Sequence, residues 1–324
     1  MLDLAGIIPA IVTPMTVDGE IDEGAVGPYV DWLVAQGPVA LAVNVDTGEG
    51  PHLSRDERGR MLSLVRDAVA GRCAIVAGVG GPSTRDGSMN ARQAADAGAD
   101  ALLVFPIGAF LSQPLRTDVA VAYHEAIAEA AGLPLILFQL QPALGGAIYP
   151  QSAIDRLLAI PSVVAVKEAS FDPLRFTEMR ARIEAADHSV TLLTGNDNFI
   201  AESLLLGAEG ALLGFATLGT REHVDLLAAV RRRDMAVLAD IGPRLQRLAD
   251  VIFAPPIGDY RARVKTALRL LGVIPSDAVR PPLLPIDAAD VEIVSRALAA
   301  ARLAPTSAGP VGAAPVAGAP GPAR

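Results

Sequence analysis

The sequence has a single cysteine, a shortage of basic side chains and no long apolar run, and each absence excludes a class of protein. Because Cys73 is the only cysteine, the chain cannot form an intrachain disulfide, which agrees with a reducing cytoplasm. A net charge of −9 leaves no basic surface for a nucleic-acid partner. No apolar stretch approaches the ~18–20 residues of a membrane span, and the N-terminus lacks a basic segment followed by an apolar one. We therefore expect a cytoplasmic protein that binds neither nucleic acid nor membrane.

Signals for a metal or a nucleotide are also missing. The histidines at positions 52, 124, 188 and 223 share no spacing that is typical of metal ligands. The first apolar run ends in Thr13-Pro14-Met15, where a nucleotide-binding sheet would more often have a glycine-rich phosphate turn. We expect no metal and no cofactor.

What the sequence does contain is a regular alternation of short apolar runs with longer amphipathic segments. The runs are continuously apolar, which is typical of parallel strands covered on both faces. Eight such units in about 220 residues predict a closed (β/α)8 TIM barrel, with an open doubly wound sheet as the alternative. The runs are residues 7–13, 40–45, 74–79, 101–105, 135–140, 163–166, 190–193 and 211–215.

The domain organisation follows from where this alternation stops. We assign residues 1–220 to the barrel and residues 221–303, which have only helical periodicity, to a C-terminal helical extension. Residues 304–324 are almost wholly Ala, Gly, Pro and Val and are expected to form a disordered tail. Within the barrel, Ser54 and Glu57 form a capping-box pattern that predicts a helix start.

One charged side chain, Lys167, follows directly on the apolar run 163–166. Burial of an ammonium favours its neutral form, and a neutral lysine amine is a nucleophile that can form a Schiff base with a carbonyl. The alternative is a lysine whose stem packs while its head reaches water. In a barrel, the carboxyl end of a strand is where active sites lie, which favours the chemical interpretation.

Two neighbouring turns are polar. After the second run, the N–H groups of residues 44–50 and the Thr47 hydroxyl could hold a carboxylate, and a similar turn over residues 194–197 follows the seventh run. The alternative for each is ordinary turn chemistry, because Asp, Asn, Gly and Thr fill such loops for backbone reasons.

Together these residues resemble the dihydrodipicolinate synthase / N-acetylneuraminate lyase superfamily over about residues 4–275. The motifs that carry the resemblance are Thr13-Pro14, Thr47-Gly48-Glu49, Val166-Lys167-Glu168, Gly195-Asn196-Asp197 and Val264-Lys265 to Gly272. The resemblance implies a class I, Schiff-base aldolase or hydro-lyase on a TIM barrel. It also implies a 2-oxo acid such as pyruvate as substrate and a homo-oligomer, tetramer or dimer.

The resemblance implies individual roles as well. Lys167 matches the Schiff-base lysine, and Thr47 with the neighbouring amides, including that of Gly48, matches the site of the substrate carboxylate. Gly195 falls in the motif that lines the substrate side of the lysine. We predict that Glu49 bonds loop amides and that Glu168, next to Lys167 on a strand, faces away from the barrel interior.

The sequence departs from the family pattern where the family relays protons. Phe138 takes the place of a tyrosine, and Asp46 that of a hydroxyl residue; a shift of one position would instead put Gln139 at the tyrosine's place. The loop after strand four has no tyrosine, and an arginine that grips a second carboxylate falls at Leu144. We therefore expect a divergent member that is not a true dihydrodipicolinate synthase. Phe138 and Gln139 are candidate substrate contacts.

Asp46 has two interpretations. In the first it replaces the hydroxyl relay as general acid and base; in the second it pairs with Lys167 and keeps it protonated. We favour the first, with Lys167 and Asp46 as catalytic residues and an aldehyde of aromatic or aliphatic bulk as second substrate. Tyr149 is a minor candidate for substrate contact, as the only tyrosine expected near the active face. The rival function is a catalytically silent barrel that binds a small carboxylate as sensor or scaffold.

Overall fold

Eight parallel strands form the centre of the protein in a computed structural model that describes residues 2–111 and 114–305. Residues 306–324, most of the predicted tail, lie outside the described residues. The strands are β1 (Ile7–Pro9), β2 (Ala40–Val43), β3 (Ala74–Val79), β4 (Ala101–Val104), β5 (Leu135–Leu140), β6 (Val163–Ala169), β7 (Thr191–Thr194) and β8 (Gly210–Leu213).

The sheet closes on itself. Each strand pairs in parallel with its neighbour, and β1 pairs with β8. On the other side, the N–H of Ile11 donates to the carbonyl of Ala42 at 3.0 Å, and the N–H of Val39 to the carbonyl of Ile7 at 3.0 Å. These bonds join β1 to β2, so the predicted (β/α)8 barrel is confirmed and the open sheet is wrong.

A helix follows each strand. The helices are α1 (Glu23–Val34), α2 (Arg55–Val69), α3 (Thr84–Asp96), α4 (Thr117–Ala131), α5 (Gln151–Leu158), α6 (Pro173–Glu184), α7 (Ile200–Leu205), α8 (Thr220–Arg232), α9 (Met235–Ile252), α10 (Tyr260–Leu270) and α11 (Ala288–Ala300). Short 3-10 turns cover Gly50–His52, Gly108–Phe110, Pro142–Leu144, Phe215–Thr217 and Ile257–Asp259. The predicted capping box is present, since Ser54 N–H donates to Glu57 Oε2 at 2.7 Å and Glu57 N–H to Ser54 Oγ at 3.2 Å.

The predicted domain boundary at residue 220 needs correction. Helix α8 packs against β1 and so covers the last seam of the barrel, although its sequence looks like the helices that follow it. The helical extension therefore begins with α9, which packs on α8 and α11, while α10 packs on α11. A parallel barrel needs a helix after its eighth strand to cover that strand, and α8 fills this role.

The strands bury both faces, which is why their sequences are continuously apolar. One cluster, including Ile8, Leu103 and Ile136, fills the barrel interior, and a second lies between strands and helices. On β6, Ala165 and Ala169 belong to the interior cluster and Val166 to the outer one. Because side chains alternate along a strand, Lys167 points into the mouth of the barrel and Glu168 points outward.

Candidate active site

Lys167 lies in a small chamber at the carboxyl end of the barrel. The chamber has a volume of about 40 Å³, and Thr47, Phe138, Gly195, Asp197 and Tyr260 are among its lining residues. Lys167 Nζ lies 4.2 Å from the centroid of the Phe138 ring, which has no group that can accept its proton. Burial lowers the pKa of Lys167 to about 8, against the opposing effects of Asp197 and Asp46. Part of the amine is therefore neutral near neutral pH.

Asp197 is the acidic group with the largest effect on this lysine. It is buried in the turn after β7, and its Oδ1 has no hydrogen-bond partner within the described residues. Burial raises the pKa of Asp197 to about 7, while the Lys167 ammonium acts in the opposite direction. A carboxyl group with a pKa in this range can both donate and accept a proton at neutral pH.

The turn after β2 presents hydrogen-bond donors to the same chamber. Thr47 is buried, and its backbone N–H has no acceptor anywhere in the described part of the chain. Its hydroxyl hydrogen-bonds with Tyr260. An amide N–H and a hydroxyl facing a buried amine are suited to hold the carboxylate of a small 2-oxo acid.

Gly48 does not have the role predicted for it. Its N–H donates to the carbonyl of Val45 at 3.1 Å, so it is not available to a substrate. A Cβ at this position would lie 2.7 Å from the carbonyl oxygen of Ile11, and this close approach to β1 explains the glycine. Gly48 shapes the turn, and the backbone N–H of Thr47 is the free donor.

Asp46 is bound to the C-terminal extension rather than to the lysine. Its Oδ2 accepts a hydrogen bond from the Tyr260 hydroxyl at 2.7 Å, and its Oδ1 lies 2.5 Å from Arg261 Nη2. Arg261 Nε also donates to the Asp46 carbonyl at 2.9 Å. The interpretation that Asp46 simply pairs with Lys167 is therefore wrong. Burial, together with the neighbouring Asp46 carboxylate, raises the pKa of Tyr260 well above its ordinary value.

The register of β5 decides between Phe138 and Gln139. Phe138 pairs with Lys167, whereas Gln139 pairs with Glu168 on the outer face. Gln139 donates to Glu168 Oε1 at 3.1 Å and accepts from the N–H of Tyr149 at 3.2 Å. The prediction that Gln139 contacts substrate is wrong, because strand alternation turns it away from the chamber. Glu168 faces outward as predicted, where it also accepts a hydrogen bond from Asn196 at 2.7 Å.

The tyrosine of the active face is Tyr260, and not Tyr149 as the sequence suggested. Tyr149 packs among the rings of Phe110 and His124, outside the chamber. Tyr260 comes at the start of α10, far from the barrel strands in sequence, so no local pattern identifies it. Asp197 follows Gly195 by two residues, and the polar turn there was the signal that could have singled it out.

Because Gly195 has no side chain, there is room beside it for Lys167. A Cβ at this position would lie 2.7 Å from Lys167 Cε and 2.8 Å from the Cβ of Ala169. We expect Gly195→Ala to displace the lysine and to slow its reaction with a 2-oxo acid by about 10²-fold, the effect of misplacing a reacting group by an ångström. The measurement is the rate of borohydride-trapped adduct formation with pyruvate.

The matched control for this change is Gly27→Ala on α1, where an added Cβ meets nothing within 4 Å. That variant should react at the wild-type rate. A Gly195→Ala protein that reacts as fast as wild type would show that the lysine does not depend on this space.

No group of three or more His, Cys, Asp or Glu side chains that could hold a metal ion occurs among residues 2–111 and 114–305. In the same ranges, every helix is too short or too polar to cross a membrane.

The protein is a TIM barrel, and active sites of this fold lie at the carboxyl ends of the strands. At those ends it has a buried, partly neutral lysine and a free amide donor. The sequence profile described as "Dihydrodipicolinate synthetase family" matches residues 3–301. The chain therefore belongs to the dihydrodipicolinate synthetase family, and membership indicates an enzyme of that family's aldolase and lyase class.

Relatives agree with this assignment over nearly their whole length. The chain is 34% identical over 300 residues to the 4-hydroxy-tetrahydrodipicolinate synthase of Kineococcus radiotolerans, covering 92% of this chain and 94% of that one. The dihydrodipicolinate synthase of Acinetobacter baumannii complexed with pyruvate has 28% identity and a TM-score of 0.81, with 93% and 100% covered. YagE, a prophage protein of the family from E. coli K12 in complex with pyruvate, has 25% identity and a TM-score of 0.85, with 92% and 98% covered.

Proposed function

We propose that this protein is a Schiff-base-forming lyase, an aldolase or hydro-lyase, that acts on pyruvate or another 2-oxo acid through Lys167. The observation that carries the proposal is the position of the Lys167 amine in a chamber that also holds Thr47 and Asp197, where burial lowers the pKa of the lysine. The pyruvate complexes of the A. baumannii enzyme and of YagE support a 2-oxo acid as the ligand of this site.

In the proposed mechanism, the neutral Nζ of Lys167 attacks the ketone carbon of a 2-oxo acid whose carboxylate is held by Thr47. Asp197 in its acid form protonates the hydroxyl that leaves as water, and a carbon–nitrogen double bond remains as an iminium. The Asp197 carboxylate then accepts a proton from the neighbouring carbon, which gives an enamine. The enamine carbon can attack an aldehyde, and the reverse sequence cleaves a carbon–carbon bond.

This assignment moves the proton-transfer role from Asp46 to Asp197. Both oxygens of the Asp46 carboxylate are engaged, by Tyr260 and Arg261, whereas Asp197 Oδ1 is unpartnered among the described residues. Asp46 then holds Tyr260 at the chamber. We propose that the reaction is not that of a true dihydrodipicolinate synthase, since Phe138 offers no proton at the lysine and Leu144 offers no cation to a second carboxylate.

The test is to incubate the protein with pyruvate, reduce with borohydride and locate the adduct by mass spectrometry. The chain has two lysines, Lys167 and Lys265, so the second serves as an internal control. Lys265 is buried beside Glu49 and should stay unmodified. We expect one adduct, on the peptide that contains Lys167, and none in Lys167→Met.

Failure to trap any member of a small panel of 2-oxo acids on Lys167 would refute the Schiff-base proposal and leave the barrel as a carboxylate-binding protein. Assembly as a dimer or tetramer and residence in the cytoplasm remain predictions.

A further inference from the structure

Phe171, four residues after Lys167, has a backbone conformation that bulky side chains rarely adopt. Its φ is 61°, in the left-handed region, where the Cβ of an L-residue comes too close to the backbone. The left-handed residues Ala70 and Arg233 end helices α2 and α8, where this conformation is common. Phe171 ends no helix, since it lies in the loop between β6 and α6. Backbone strain of this kind persists only where the surrounding structure imposes it, and it is concentrated at functional sites.

Two side chains of the turn after β7 hold Phe171 in this conformation. The N–H of Phe171 donates to Asn196 Oδ1 at 2.7 Å, and the carbonyl of Phe171 accepts from Asn198 Nδ2 at 3.2 Å. Asn196 is itself buried and fixed, because its Nδ2 donates to Glu168 Oε2 at 2.7 Å. The two asparagines flank Asp197, so the loop of Phe171 is tied to the turn that bears the proposed base.

The ring of Phe171 forms a wall of the lysine chamber. The side chain is half-buried against the apolar cluster of the barrel interior. It lines the chamber together with three other phenylalanines, Phe105, Phe138 and Phe253. The free volume of about 40 Å³ is room for roughly three water molecules. Such a space suits a short 2-oxo acid and leaves little room for a longer carbon chain.

The bonds to the turn after β7 place Phe171 near one particular carbon of the substrate. In the proposed mechanism, Thr47 holds the carboxylate, Lys167 bonds the oxo carbon, and Asp197 takes a proton from the next carbon. That carbon therefore faces the turn to which the Phe171 loop is hydrogen-bonded. A longer acid, or an aldehyde that joins the enamine, adds its atoms at this carbon. A phenyl ring there limits the size of the added group and offers no hydrogen bond to a hydroxyl.

We propose that Phe171 is a specificity-determining residue, whose ring limits the substrate to a short 2-oxo acid and, where a carbon–carbon bond is made or broken, to a small aldehyde. Long chains and the hydroxylated chains of sugar acids are excluded. The strained backbone keeps the ring in place. The bulky aldehyde suggested by the sequence is replaced by a small one. This inference rests on the proposed function, because it takes the positions of the substrate atoms from the Schiff base at Lys167.

The experiment uses unbranched 2-oxo acids of increasing length, from pyruvate through 2-oxobutanoate and 2-oxopentanoate to 2-oxohexanoate. Each acid forms an iminium with Lys167 by loss of water, and borohydride donates a hydride that reduces it to a secondary amine. The adduct is measured by intact-protein mass spectrometry as a function of acid concentration. In the wild-type protein, we expect half-maximal trapping of 2-oxohexanoate to need an about 10-fold higher concentration than that of pyruvate, the effect of methylenes that a pocket has no room for.

The variants are compared by this ratio, with pyruvate as the reference within each protein. Phe171→Gly removes the ring and keeps the backbone conformation, since glycine adopts a positive φ freely, and should lower the ratio about 10-fold. Phe171→Leu keeps a bulky apolar side chain and should retain most of the ratio. Arg233→Gly changes an exposed left-handed residue at the end of α8 and should retain all of it.

Thermal unfolding tests the backbone strain separately. Phe171→Ala also removes the ring but keeps a Cβ, so it should unfold about 2–4 °C below Phe171→Gly. Equal unfolding temperatures would overturn the strained backbone on which the placement of the ring depends.

A wild-type ratio near one, or a ratio that persists in Phe171→Gly, would overturn the inference. The wild-type series decides the point even if a variant fails to fold. Failure of the wild-type protein to trap pyruvate is a different result, since it overturns the proposed function and, with it, the role of Phe171.

Discussion

Asp197→Asn should slow the exchange of the pyruvate methyl hydrogens with deuterated water by about 10²–10⁴-fold, the contribution of a positioned general base. Asparagine has nearly the same shape but can neither accept that proton nor release it. Exchange is followed by NMR at a fixed pH near 7.5. The borohydride adduct on Lys167 should still form, because the amine and Thr47 are unchanged, but more slowly, because the acid that assists the loss of water is missing.

The pH dependence separates this role from a merely structural one. The Asp197 carboxylate raises the pKa of Lys167, although burial holds that pKa at about 8. Loss of the negative charge leaves the desolvation effect less opposed, so the pKa of Lys167 falls. The rise of trapping rate with pH, which follows deprotonation of the amine, should therefore move to lower pH in Asp197→Asn.

Asp46→Asn is the matched comparison, because it changes the other carboxyl group of the chamber. Asp46 is held by Tyr260 and Arg261, so its loss should reduce exchange less than the loss of Asp197. The reverse order, with Asp197→Asn close to wild type, would return the proton-transfer role to Asp46.

Lys265→Met should lower the stability of the protein by about 3–5 kcal/mol, the effect of removing one partner of a buried ion pair. Lys265 and Glu49 are both fully buried and in contact, and Lys265 also donates to the carbonyl of Ala278 at 2.7 Å. Burial lowers the pKa of Lys265, against the effect of Glu49. Methionine would fill the space but leave the Glu49 carboxylate buried without its cation. Thermal unfolding should show a Tm roughly 10 °C below wild type.

Two comparisons test this explanation. The double variant Glu49→Gln with Lys265→Met removes both charges and should recover part of the loss. Arg269→Met on the same helix removes one partner of the half-exposed pair with Asp277 and should lower stability by about 1 kcal/mol or less. Equal losses in Lys265→Met and Arg269→Met would contradict the assignment of a large effect to burial.

The buried pair also matters for the site. Glu49 follows Thr47 by two residues, and Lys265 lies on α10 five residues after Tyr260. The pair therefore joins the turn after β2 to the helix that brings Tyr260 to the chamber. The prediction that Glu49 bonds loop amides holds for one oxygen, since its Oε2 accepts from the N–H of Arg280 at 2.8 Å, but its other partner is a lysine.

The sequence by itself determined the barrel and the lysine at its mouth. Strands buried on both faces must be continuously apolar, so eight such runs were visible without a structure, and six of them begin at the observed strand starts. A single charge at the end of such a run is equally visible, which is how Lys167 was identified. The helix start at Ser54 was predictable because the capping box is a local pattern. The residue at which the barrel ends was not predictable, because α8 has the same amphipathic pattern as the helices of the extension.

Only the tertiary structure decided what surrounds the lysine. Tyr260 and Arg261 reach Asp46 across 214 and 215 positions of sequence, and no spacing rule connects residues so far apart. The choice between Phe138 and Gln139 depended on strand register, since a shift by one residue exchanges the two faces of a strand. The raised pKa of Asp197 likewise follows from its burial. Burial is a property of packing that the turn sequence does not contain.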